Sequence, residues 1–258
     1  MTKMGKEILY KSLKHAAYFA ACVAVFCLLW WIVVSAVKNE YVFPSMSQTL
    51  KEMGKLLKDE FFYKSYLASF LRTLRVFFLS FFCAAFFAVI SYLYPVFSKI
   101  LAPVVGILRS LPTMAVLLMI LIWTTPADAP VVVGFLALFP ILYTGTYAAL
   151  STVDKKFVDL CRVYKIPVYK RITKMYLPMS LPYILRECSA GLSFGVKLTV
   201  SAEIMASTYI SIGSLMNKAG IYYQTAKLFA LTVFVIFTGL LLESLGVLLA
   251  RAAERRVQ

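Results

Sequence analysis

Four ionisable side chains stand inside stretches that are otherwise apolar: Arg109, Lys197, Glu203 and Glu243. A charge at the centre of a bilayer costs about 2.5 to 3.5 kcal/mol on insertion scales, so such residues face a cavity, a partner chain or one another. Arg109 lies three residues before Pro112, whose missing N–H frees the carbonyl of Leu108 and opens a helix there. Gly191, Gly195, Thr199 and Glu203 are spaced by four, a narrow stripe of mostly small residues with an acid at its end. Two roles are open to Glu203. It lines or gates a path with Arg109, Pro112 and Thr199, or it forms a structural ion pair with Arg109, Lys197 or a neighbouring chain. Lys197 is six positions away, about 120° around the helix axis, so a pair within one helix is poor. Glu243 is expected to be a buried structural hydrogen-bonding group. None of this assembles an enzyme: the one histidine, His15, lies outside the apolar runs, and there is no H-E-x-x-H, G-x-S-x-G or D-x-[DN]-x-[DN]-G pattern. Five scattered cysteines without a C-x-x-C pair argue against a disulfide framework and against a metal site.

The elements that position these residues are apolar spans. Of 258 residues 61% are apolar and 15% charged, against about 45 to 50% and 25% in a soluble domain. A mean hydropathy of +0.81 puts much of the chain in lipid. Residues 16 to 37 are uncharged and, as a helix, reach about 33 Å, too long for the core of a cleaved signal peptide. Further spans are predicted near 74 to 94, 100 to 123, 130 to 150, 184 to 206 and 227 to 250, six in all. The net charge of +15 would suggest nucleic acid in a soluble protein. Here the cations sit between spans: sixteen of the twenty-seven Lys and Arg fall in the N-terminal tail, at Lys99, between Lys155 and Arg186, and at Arg251, Arg255 and Arg256. That bias places both termini in the cytoplasm, with membrane lipids and not nucleic acid as the partner of the positive charge. The expectation is an all-α integral membrane protein. Residues 1–37 make a tail and first span, 38–65 an extracytoplasmic loop, 66–250 the core, and 251–258 a basic tail. In the loop, Ser45 and Gln48 make a capping box for a helix through Leu57, with Leu50, Met53, Leu56 and Leu57 on one face. The plainer reading is a helix resting on the bundle; the alternative is a docking surface.

Residues 151 to 187 form a long basic loop between the fourth and fifth spans, and loops of that length usually carry function. Two short helices joined by a turn are predicted, with Pro167 in the first turn of the second and Pro178 and Pro182 ending it. The loop resembles that of permease subunits of bacterial ABC importers, whose pattern is E-A-A, three residues, G, nine residues, I, one residue, L-P. Asp159, Leu160 and Cys161 take the E-A-A positions, Lys165 the glycine, Met175 the isoleucine, and Leu177-Pro178 the final pair. Lysine at the glycine position departs from the pattern; because Pro167 already restricts the chain, an ordinary negative φ is expected there. Phe43-Pro44-Ser45, Leu71 to Val76, Leu108 to Pro112, and Ala202 to Ala206 followed by Ile212-Gly213 are similar to segments of the nitrate, sulfonate and taurine branch of that family.

That resemblance implies a homodimeric permease in the bacterial plasma membrane, importing a small solute such as a nitrate-, sulfonate- or taurine-like anion or a vitamin precursor. An extracytoplasmic binding protein would deliver the solute, and a dimer of ATPase subunits would drive transport. Asp159, Leu160, Cys161, Tyr164, Lys165, Leu177 and Pro178, within a coupling loop 151–183, would meet the ATPase. The chain lacks G-x-x-x-x-G-K-[ST], so ATP and Mg are expected in that partner and no cofactor in this chain. A membrane-embedded enzyme, or a scaffold without an ATPase, is the alternative.

Overall fold

The computed structural model describes Tyr18, Ala21, Ala24, Val25, residues 27–37 and residues 39–257. The basic N-terminal tail, Cys22 and Lys38 lie outside the described residues. Every regular element among those described is helical. The chain divides into two units, Met1–Lys58 with Ala219–Ala230, and Asp59–Lys218 with Leu231–Gln258.

The first unit holds α1 (Cys27–Val37) and α2 (Met46–Leu56). The capping box forms as the spacing predicts: Gln48 N–H donates to Ser45 Oγ at 3.3 Å, and Ser45 N–H donates to Gln48 Oε1 at 3.0 Å. Two of the orphan donors of the first turn are thereby satisfied. The predicted apolar face is split, with Leu56 buried and Leu50 and Leu57 exposed. Trp30, Phe43 and Phe229 form an edge-to-face cluster with centroids 5.1 to 5.3 Å apart, and Trp30 Nε1 donates to the Pro44 carbonyl at 3.2 Å.

The second unit is organised around α3 (Glu60–Leu93), α6 (Ala129–Ser151) and α9 (Leu177–Ala206). Asp59 caps α3 by accepting from Phe61 N–H at 2.9 Å, so the helix starts well before the predicted span and takes over the end of the presumed loop. It stops at Tyr94, held extended (φ −122°, ψ 95°) as a residue before proline must be. The side of α3 that is buried carries Ser65, Ser69, Thr73, Val76, Ser80, Ala84, Ala88 and Ser91 at three- and four-residue spacing. Small residues bring helices close in lipid, where apolar burial no longer drives association. The approach is tight enough that a Cβ on Gly134 of α6 would lie 2.7 Å from Val76 Cγ1, and one on Gly191 of α9 would lie 2.7 Å from Leu142 Cδ2.

The third predicted span is broken: α4 (Pro95–Ser110) and α5 (Thr113–Trp123) meet at 94° across Leu111-Pro112. Pro112 removes the bonding that would have joined them, as its position predicts. After α6 come α7 (Lys155–Val163) and α8 (Val168–Arg171), a π turn (Ile172–Tyr176) and α9. Pro178 and Pro182 do not end the second loop helix as expected. The π turn, in which Leu177 N–H reaches back to the Ile172 carbonyl, absorbs an extra residue just before Pro178, and the helix runs on through both prolines. Then α10 (Ile212–Ile221) and α11 (Thr225–Val257) complete the described chain. By length and composition α3, α6 and Thr225–Arg255 of α11 are long and apolar enough to cross a membrane, and the bent pair α4–α5 makes a fourth.

Candidate functional site

The acid at the end of the small-residue stripe is held in a clamp. Glu203 is fully buried. Its Oε2 accepts from Ser69 Oγ at 2.7 Å and from Gly213 N–H at 3.2 Å, while its Oε1 takes an ion pair from Arg72. Ser69 Oγ in turn accepts the Ile212 N–H at 2.8 Å. Three donors, two from α3 and one from the start of α10, thus converge on the one carboxylate that α9 carries, the satisfaction a buried charge requires. The backbone is shaped for it: Ser207, at φ 52°, ends α9, and Thr208 N–H returns to the Glu203 carbonyl at 3.3 Å. Gly213 cannot carry a side chain, because a Cβ would meet Glu203 Cβ and lie 2.7 Å from Ile204 N.

This corrects the sequence reading of Glu203 in two ways. Its partner is Arg72, neither Arg109 nor Lys197, because the small face of α3 brings Ser69 and Arg72 against α9. The carboxylate is also enclosed by its donors and lines none of the cavities beside the broken helix. Thr199, one turn earlier and also proposed for the path, is fully buried as well, with its hydroxyl unpartnered among the described residues. Glu243 is likewise corrected: it is exposed on α11, which the rest of the unit covers only sparsely.

Arg109 and Pro112 stay together at the break. Arg109 stands in the last turn of α4 and lines a cavity of about 200 Å³ with Leu108, Leu111 and Thr113. Pro112 and Thr113 line an adjoining one of about 430 Å³, whose wall also includes Lys197. The pairing of Lys197 with this cavity was not legible in the sequence, since it depends on which face of α9 meets α5.

At the other end of the chemistry, α7 and α8 form a hairpin. Tyr164 N–H donates to the Leu160 carbonyl and Ile166 N–H to the Cys161 carbonyl, both at 3.0 Å, while Lys165 sits at φ 47°. That is a Schellman closure with Lys165 in the left-handed position, overturning the negative φ expected there. Pro167 is the reason: it excludes Ile166 from the helical region, so the chain must reverse before it. Asp159, Leu160, Tyr164 and Lys165 are exposed on the hairpin. Cys161 is buried instead, its Sγ 3.4 Å from Met175 Sδ, fastening α7 onto the π turn. Leu177 and Pro178 lie beyond that turn at the start of α9. Phe157, Leu160, Tyr164 and Ile166, with Lys170 and Lys174, border a groove of about 360 Å³ along the hairpin.

Residues 77–258 match the family described as binding-protein-dependent transport system inner membrane component. A relative from Bacillus subtilis (strain 168), named as an aliphatic sulfonates transport permease protein, SsuC, is 29% identical over 153 residues, 58% of this chain and 55% of the relative. The chain therefore spans little more than half the length of that relative. The taurine transport system permease protein TauC of Escherichia coli (strain K12) is 25% identical over 241 residues, 91% of this chain and 86% of the relative. Among solved structures, one of the MetNI methionine ABC transporter in an inward-facing conformation superposes with a TM-score of 0.61 at 18% identity, over 76% of this chain and 99% of that one. At that identity the likeness is one of fold.

Proposed function

We propose, for a chain that belongs to the family of binding-protein-dependent transport system inner membrane components, that it is the transmembrane permease subunit of an ATP-dependent ABC importer. It crosses the inner membrane six times with both termini in the cytoplasm. Two copies form the pathway, a binding protein delivers the solute from outside, and a separate ATPase dimer supplies the work by binding ATP and Mg. The solute belongs with those of the relatives' names, sulfonates or taurine, or with vitamin precursors. Catalysis of a covalent step is no part of this role.

The observation that carries the proposal is the α7–α8 hairpin. Leu160 is 51% and Tyr164 74% exposed, and both border the groove along the hairpin. The hairpin is rigid, since the Schellman closure and the Cys161–Met175 contact fix its two arms. A rigid knob that continues without interruption into the 30-residue α9 transmits a displacement of its tip to the membrane. Arg109 and Pro112, beside the break between α4 and α5, belong to the path that such a displacement opens and closes.

Asp159→Arg and Leu160→Asp test this reading. Each variant is expected to insert normally yet lose association with the ATPase and ATP-driven uptake. Full association and uptake by both variants overturn the docking role.

A further inference from the structure

The two cavities beside the break share the side chains of Thr113, Val133, Phe194 and Leu198. Arg109 lines one and Lys197 the other, and no acidic residue lines either. Neither cation has an ion-pair or hydrogen-bond partner among the described residues. The nearest acid along α9 cannot serve Lys197, because Glu203 is taken up by Arg72, Ser69 and Gly213. Both side chains are exposed, and a cation within an otherwise apolar membrane segment is kept where it faces a cavity or a partner. The break adds a third positive element. Helix α5 starts at Thr113 with no side chain capping its first turn, and the 94° bend turns its start away from the end of α4. Its first N–H groups, the positive end of the helix dipole, therefore lie at the cavity wall made by Pro112, Thr113 and Met114.

We propose that this double cavity binds the anionic head of the transported solute, with Lys197 and Arg109 as its specificity-determining residues. The assignment rests on the importer reading above and goes deeper by naming the charge class and the residues that recognise it. A sulfonate, phosphonate or carboxylate group sits against Lys197, Arg109 and the start of α5, while Val116, Leu136 and Phe194 receive a short apolar tail. Arg109 also stands in the last turn of α4, where a cation complements the terminal carbonyls. Lys197, in the middle of α9, has no such second role.

The test measures thermal unfolding of the full chain in phosphatidylcholine nanodiscs against rising concentrations of methanesulfonate, methylphosphonate and acetate. Dimethyl sulfone serves as a neutral isostere and tetramethylammonium as a cation. At least one anion is expected to stabilise saturably while the neutral and cationic probes do not. Lys197→Gln and Arg109→Gln are expected to raise the half-saturating concentration about tenfold each, and Lys197→Arg to preserve it. Stabilisation by dimethyl sulfone equal to that by the anions, no response to any anion, or an unchanged affinity in Lys197→Gln each overturns the assignment. Phosphatidylglycerol is the second arm: if adding it to the nanodiscs abolishes the anion response, the cavity belongs to a lipid headgroup and the solute assignment falls. The probe comparison in the unaltered chain stands even where a variant fails to insert. Failure of the importer reading is read separately, as loss of ATPase association. ATP-driven uptake indifferent to Lys197 overturns the present assignment and leaves the importer intact.

Discussion

Lys165→Gly should stabilise this protein. A residue with a Cβ pays about 1 to 2 kcal/mol in the left-handed conformation that Lys165 adopts at φ 47°. Glycine removes that strain but gives the unfolded chain extra freedom worth about 0.5 to 1 kcal/mol. The difference leaves a net gain of about 0.5 to 1 kcal/mol. For a chain of this size it amounts to a rise of about 1 to 4 °C in Tm. Lys165 is exposed, so no packing is lost to offset the gain. Two variants separate strain from charge, since Lys165→Ala removes the ammonium from a basic hairpin and leaves the φ penalty in place. Thermal unfolding of the detergent-solubilised chain, followed by intrinsic fluorescence, is expected to order the three as glycine above alanine and alanine near lysine. A glycine variant no more stable than the alanine one refutes the argument. It would mean that the turn relaxes to an ordinary φ, or that relief of charge rather than backbone strain governs it.

The clamp on Glu203 yields two more expectations. Arg72→Ala leaves a carboxylate buried without its counter-charge and is expected to cost about 3 to 5 kcal/mol, read as a loss of folded yield and of Tm; adding Glu203→Gln should recover part of it, and a strictly additive double variant would show the pair to be uncoupled. Gly213→Ala places a methyl group against Glu203 Cβ and 2.7 Å from Ile204 N, and an expected cost of about 1 to 3 kcal/mol should appear as a lower Tm with unchanged expression, since the obstacle is backbone that cannot swing aside.

How much was legible beforehand follows from the reach of each signal. The helical class, the cap at Ser45 and Gln48, the break at Pro112 and the two-helix loop were readable because each depends on backbone bonding within a turn or two of the residue concerned. The positive φ at Lys165 departs from expectation although its cause, Pro167, stands two residues away: besides starting its own helix, the proline restricts Ile166, and that restriction forces the reversal at Lys165. Pro178 and Pro182 misled in the opposite sense, since a π turn lets a helix carry prolines that would otherwise end it.

The partner of Glu203 lay beyond local reach. Arg72 is 131 residues distant in sequence, and finding it requires knowing which sides of α3 and α9 face each other. In a soluble helix the apolar stripe would tell, but α3 is apolar nearly all round because its outer side meets lipid. What marks its inner side is the smallness of Ser65, Ser69, Thr73, Ser80 and Ala84, a signal of close approach and not of hydrophobicity. Composition and turn chemistry thus determined that this chain forms membrane helices and where they break. Only the packing of those small faces decided that Glu203 would be neutralised by Arg72 and that Arg109 and Lys197 would stand beside adjoining cavities without a partner among the described residues, because in lipid it is steric fit, and not the exclusion of apolar surface from water, that selects which helix faces meet.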